Sequence, residues 1–227
     1  MSLITLTNFD VAAGPTGQTS WALNPPPAPK PDVDRVLANK PDENWVPFIV
    51  ESEVMAGANR VSAMYPRRGF AADGVADVWV RHSNGEALRG IHFPSLADMM
   101  ASMPETILRD NSMTDGHLAL KQALKIEAKN PGTPAVIRQT WEDALKAKTI
   151  YATVTLDLEF KRRLPKEGLR MAHVRQVVKK LQEGRMDSES IIRDENEELV
   201  AVGRQIVFVL DSQRKFKKSA SSEKANL

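Results

Sequence analysis

Three polar residues, far apart in the chain, stand where their chemistry can be used. Asp98 lies in Phe93-Pro94-Ser95-Leu96-Ala97-Asp98-Met99-Met100, and Thr153 in the alternating run from Ala152 to Phe160. Gln205 closes Leu199-Val200-Ala201-Val202-Gly203-Arg204-Gln205. A carboxylate can take a proton from water or orient it. A hydroxyl and a carboxamide can hold that water and the oxygen on which charge develops. Such a set suits attack of water on an activated carbonyl without a covalent nucleophile. Cysteine is absent, which excludes thiol nucleophiles, disulfides and thiolate metal sites. His82, His92, His117 and His173 show no ligand spacing, so neither a metal nor another cofactor is expected.

Each residue also has a plainer reading. If a helix starts at Ser95, Ser95 caps it and Asp98 is the acidic partner of a capping box. Thr153 shares a strand face with Thr155, Asp157 and Glu159, opposite Val154, Leu156, Leu158 and Phe160. There it can be an ordinary strand residue. Gln205 is less ordinary, because its face carries Leu199, Ala201, Gly203, Val207 and Val209. A carboxamide buried among such neighbours must find partners. Arg67 and Arg68 suit the phosphates of a nucleotide-bearing substrate, or are simply a solvated basic pair.

The elements that must position these residues follow from periodicity. Residues 14–47, rich in Pro, Gly and Asp, read as a linker pinned to the domain surface by Trp21 and Trp45. Strands are expected at Leu3–Phe9, at Glu53–Pro66 with a bend at Gly57, and at Val75–His82. Leu96, Met99, Met100 and Met103 give an apolar stripe at helical spacing. Asp115–Lys129 and Pro134–Lys148 read as amphipathic helices. Long strands follow at Thr149–Lys161, Gly168–Gln182, Met186–Ile192 and Glu198–Leu210. One apolar helix among antiparallel strands gives an α+β domain. The division expected is 1–47 as strand and linker, 48–218 as the domain and 219–227 as a tail.

Composition narrows the classes. The 227 residues are 42% hydrophobic with a formal charge of +2, and only Arg214–Lys218 is densely basic. Nucleic-acid binding is therefore not expected. No apolar run is long enough to span a bilayer, and no leader is apparent, so an intracellular protein is expected.

Further segments carry a family resemblance: Trp21-Ala22-Leu23-Asn24-Pro25-Pro26-Pro27, Tyr65-Pro66-Arg67, Leu164-Pro165-Lys166-Glu167-Gly168 and Gly184-Arg185-Met186-Asp187. With Asp98, Thr153 and Gln205 in that order, the chain from about Asn8 to Lys217 resembles the catalytic half of the acyl-CoA thioesterase II family. It is also similar to fungal thioesterase-like proteins of the same superfamily. The resemblance implies a hot-dog fold, with an antiparallel sheet wrapped around a central helix. It implies Asp98, Thr153 and Gln205 as catalytic residues, and an acyl-CoA or carrier-bound fatty or polyketide thioester as substrate. Members of that family usually carry two hot-dog units; here the first is missing apart from a strand expected at Leu3–Phe9, so the chain is either a truncated form or one whose two copies pair as a homodimer to rebuild the double unit, the second being preferred. A non-catalytic hot-dog protein that binds an acyl ligand or a partner stays open beside the hydrolase. A hot-dog hydratase would want an Asp-x-x-x-x-His arrangement, which is not found. The ending Lys224-Ala225-Asn226-Leu227 resembles that of animal catalases, which implies a peroxisomal address; as a plain polar tail it leaves a cytoplasmic one, and both stay open.

Overall fold

The computed structural model describes residues 9, 11, 14–17, 19–99, 104–109, 111 and 115–212. The expected strand at Leu3–Phe9, Met100, Met103 and the ending after Ser212 lie outside these, apart from Phe9, which sits in a turn.

Eight strands form one sheet: β1 (Trp45–Ser52), β2 (Val61–Pro66), β3 (Val75–His82), β4 (Ala135–Gln139), β5 (Thr149–Phe160), β6 (Ala172–Gln182), β7 (Arg185–Arg193) and β8 (Leu199–Asp211). Their spatial order is β4-β1-β2-β3-β6-β7-β8-β5, antiparallel throughout except for β1 with β4. Five helices accompany them: α1 (Val33–Leu37), α2 (Phe93–Met99), α3 (Pro104–Ile107), α4 (Gly116–Glu127) and α5 (Trp141–Lys146). The segment β3-β6-β7-β8-β5 holds α2 against one face, so the fold is an α+β hot-dog.

That inner face carries the main core. Phe93, Leu96 and Ala97 of α2, spaced i, i+3 and i+4, are buried against Val78, Val80, Val174, Ile192 and Ala201. The outer face of β3 and β6 is covered too. Residues 23–37 cross it, and Val33 and Val36 pack on Trp45, Met64, Trp79 and Met171. This explains why Val75–Val80 is buried at every position although its sequence alternates. Beneath the crossing segment, Arg175 holds Asp77 through two hydrogen bonds of 2.8 and 2.7 Å and donates to the Pro25 carbonyl at 2.5 Å. Burial alone would raise the Asp77 carboxyl, but the hydrogen bonds of His173 and Arg175 outweigh it and lower it below the ordinary range. Burial likewise lowers His173, whose Nδ1 accepts from Arg193 and whose Nε2 stands 3.1 Å from Asp77.

Several expectations are corrected. The linker 14–47 contains α1 and runs into β1. Trp45 is fully buried in the outer-face cluster, whereas Trp21 is half exposed. Glu53–Pro66 is a turn and a 3-10 helix (Ala58–Arg60) before a strand that begins only at Val61. Pro134–Lys148 is not one helix. Its alternating Ala135-Val136-Ile137 pairs with β1 as a strand, since β-branched residues favour that surface, and only Trp141–Lys146 is helical. Asp115–Lys129 is helical as read, with Asp115 accepting from the backbone of His117 and Leu118.

Candidate active site

α2 begins at Phe93, directly after a 3-10 turn (Gly90–His92), two residues earlier than Ser95. That turn is closed by His92, whose Nδ1 accepts from the Arg89 N–H at 2.8 Å. Asp98 is thus next to the last residue of α2, outside its first turn, and the capping-box reading fails. For the same reason the free N–H groups of the helix start are roughly 7 Å along the axis from Asp98.

β5 brings Thr153 to it. The ladder with β8 slips between Thr153 and Thr155: Thr153 faces Val207, Thr155 faces Ile206 and Leu156 faces Gln205. Val154 is the additional residue of a β-bulge. The bulge reverses the alternation, so Thr153 shares the inner face with Leu156, Leu158 and Phe160 rather than opposing them. The face assigned to Thr153 from periodicity is corrected accordingly. Its Oγ1 donates to Asp98 Oδ1 at 2.7 Å, and both residues are exposed at the open side of β5.

Gln205 is 3% exposed, on the inner face of β8. Its Nε2 donates to the Ala97 carbonyl at 2.6 Å. The same oxygen lies 2.9 Å from Gln176 Nε2 and 3.2 Å from Ser190 Oγ, which also donates to Gln176 Oε1 at 2.7 Å. Side chains from three strands thus meet on one carbonyl of α2, which fixes the peptide leading into Asp98. Gly203 lets α2 come this close: a Cβ there would stand 3.3 Å from Ser190 Cβ and 3.4 Å from Ala97 Cβ.

Asp98 and Thr153 are therefore joined directly, and Gln205 sits one inward step along β8 from Thr153's partner, on the carbonyl preceding Asp98. Sequence reasoning missed Gln176, Ser188 and Ser190. The available signal was a polar residue on the buried phase of strands otherwise carrying Val174, Val178, Met186 and Ile192. Arg67 is no free phosphate ligand: it is spent on Glu127, at 2.8 and 3.1 Å, and on the Asp42 carbonyl at 2.7 Å. Arg68 is exposed.

A buried apolar cluster adjoins the polar group. Val207, Val209 and Met186 are buried beside half-buried Tyr151, Leu181, Phe70 and Leu108. At its far end an open cleft of about 570 Å³ is lined by Leu108, Thr149, Leu181, Gly184 and Val209, among others. No described helix is long and apolar enough to cross a membrane.

Comparison with known proteins adds the following. Residues 26–209 match the family model described as "Acyl-CoA thioesterase C-terminal domain". The thioesterase-like protein TwmA of Talaromyces wortmannii is 28% identical over 162 residues, 71% of this chain and 44% of TwmA. Among solved structures, a candidate thioesterase of Novosphingobium aromaticivorans is 15% identical with a TM-score of 0.48, covering 88% of this chain and 58% of that one. Protein smu.793 of Streptococcus mutans, solved with acetyl-CoA, is 10% identical with a TM-score of 0.37, covering 64% and 88%. The chain thus spans under half of its curated relative and under two thirds of the first of these structures.

Proposed function

The chain belongs to the family of acyl-CoA thioesterase C-terminal domains, and from that premise we infer that it hydrolyses an acyl thioester, with Asp98 as general base. The observation that carries this reading is the 2.7 Å hydrogen bond from Thr153 to Asp98, beside a carbonyl held by Gln205. Thr153 occupies one carboxylate oxygen and orients the group, leaving the other to accept a proton from water. Gln205, bound to Ala97, steadies the end of α2 and offers its Oε1 to the site. The substrate class is an acyl-CoA or a carrier-bound acyl thioester, fatty or polyketide. Its acyl group enters the open cleft lined by Leu108, Leu181 and Val209, at the far end of the apolar cluster that adjoins Thr153. The catalytic unit begins before residue 48, since it takes in all of β1 from Trp45 and the segment 23–37 that covers β3 and β6.

The test is release of free thiol from a panel of short, long and aromatic acyl-CoAs by wild type and by Asp98→Asn. The substitution nearly conserves volume. It is expected to lower turnover on the order of 100-fold or more with the melting temperature unchanged. A folded variant with wild-type turnover would remove Asp98 as the base. Acyl ligands bound but not cleaved by wild type would favour an acyl-binding protein instead.

A further inference from the structure

Ser188 of β7 lies directly across from Gln205 of β8, on the same inner face. The two are 4% and 3% exposed. Ser188 Oγ and Gln205 Oε1 have no hydrogen-bond partner among the described residues. The orientation of the Gln205 amide is not free. An acceptor at 2.6 Å, the Ala97 carbonyl, demands an N–H, so it is Nε2 that meets this carbonyl and Oε1 that is left over. Leaving a buried polar atom unpaired is costly, and here two such atoms sit on opposed residues. Ser190, two positions along β7, shows the contrast: its hydroxyl is engaged by Gln176 and Ala97. On the side of Ser188 away from Ser190, the inner face supplies apolar neighbours: Val178 across the ladder and Met186 and Val207 one step on.

The two free atoms complement one small molecule. Gln205 Oε1 only accepts, and Ser188 Oγ–H can donate. A single water gives one proton to Oε1, receives the Ser188 hydroxyl proton, and keeps its second O–H. Two to four polar partners are usual for a buried water. The position adjoins the reacting centre, since Val207, two residues beyond Gln205, pairs with Thr153.

We propose that Ser188 is a fourth residue of the hydrolytic site and, with Gln205 Oε1, holds the attacking water. This rests on the reading of Asp98 as the base. Asp98 takes the water's second proton while the oxygen bonds to the thioester carbonyl carbon. The C–S bond then breaks with its electron pair on sulfur, and the proton passes from Asp98 to that sulfur. A carboxylic acid and a free thiol leave, and Asp98 is again ionised.

Ser188→Ala is close to isosteric and removes only the hydroxyl. The expected result is a fall in kcat on the order of tenfold or more, with KM unchanged and the melting temperature equal or higher, because an unpaired buried hydroxyl is gone. A crystal structure of the wild type is expected to show one water within hydrogen-bond distance of Ser188 Oγ and Gln205 Oε1. A Ser188→Ala protein with wild-type kcat, or a wild-type crystal with no water between those atoms, overturns the proposal. Asp98→Asn, assayed alongside, separates the two claims. If it loses turnover and Ser188→Ala does not, only the role of Ser188 falls. If it keeps turnover, the general-base reading falls as well.

Discussion

At the scale of single residues, the site depends as much on what is missing as on what is present. Gly203 is chosen for space, not for backbone freedom, because its Cβ position is contested by Ser190 and Ala97. Gly203→Ala is therefore expected to lift α2 from β8 by a few tenths of an ångström and stretch the contacts on the Ala97 carbonyl. The cost in stability is about 1–2 kcal/mol, read from urea unfolding, with a parallel loss of turnover. Unchanged values of both would show that the helix does not need this approach. Gly184 is different: with Glu183 it forms a two-residue hairpin turn with positive φ at both positions, 52° and 74°, and a Cβ would press on the Val209 carbonyl at 2.9 Å.

At the scale of elements, α4 is tied to β2 by one buried carboxylate. Glu127, at the end of α4, accepts from Arg67 and from the Gly132 N–H at 3.1 Å. The Arg67 hydrogen bonds, against the opposing effect of burial, hold its carboxyl below the ordinary 4.5. A carboxyl lowered by folding adds stability above its unfolded value and loses it as pH falls through the folded one. Wild-type stability is thus expected to decline with acidification below about pH 4.5. Arg67→Met is expected to cost about 1–3 kcal/mol at pH 7 and to flatten that decline, as melting temperatures from pH 7 to pH 3 would reveal. Parallel curves for the two proteins would show that the pair does not govern the acid response. Elements also explain the misreadings. Periodicity placed Thr153 on the wrong face because one bulge residue, Val154, inverts a period of two.

At the scale of the whole molecule, β5 ends the sheet as a strand of 12 residues with no neighbour beyond it among the described residues. Ile150 and Val154 on β5 and Phe208 on β8 are 55%, 50% and 41% exposed. A long open edge beside exposed apolar side chains favours pairing with another chain. Two copies are expected to associate there, covering the open side of the Asp98–Thr153 pair. Light scattering should give twice the chain's 25.2 kDa at micromolar concentration. Val154→Lys should shift the protein to the single-chain mass. A wild-type monomer with full turnover would dispose of the idea.

What the sequence determined by itself was the set of local preferences. The alternation in β3, β5 and β8 and the helix begun at Asp115 follow from neighbours a few residues apart, whereas of the expected stripe Leu96, Met99, Met100 and Met103 only the side chain of Leu96 lies among the described residues. Gln205 was conspicuous because a carboxamide on an apolar face has no local partner. Only the tertiary structure decided that its partner is the Ala97 carbonyl, that Gln176 and Ser190 share it, and that Ser188 faces Gln205. The contacts on the Ala97 carbonyl join residues 79 to 108 positions apart. They depend on sheet order, register and one bulge, none of which a period of two or 3.6 can encode. The same holds for β4, whose short run becomes a strand by pairing with β1.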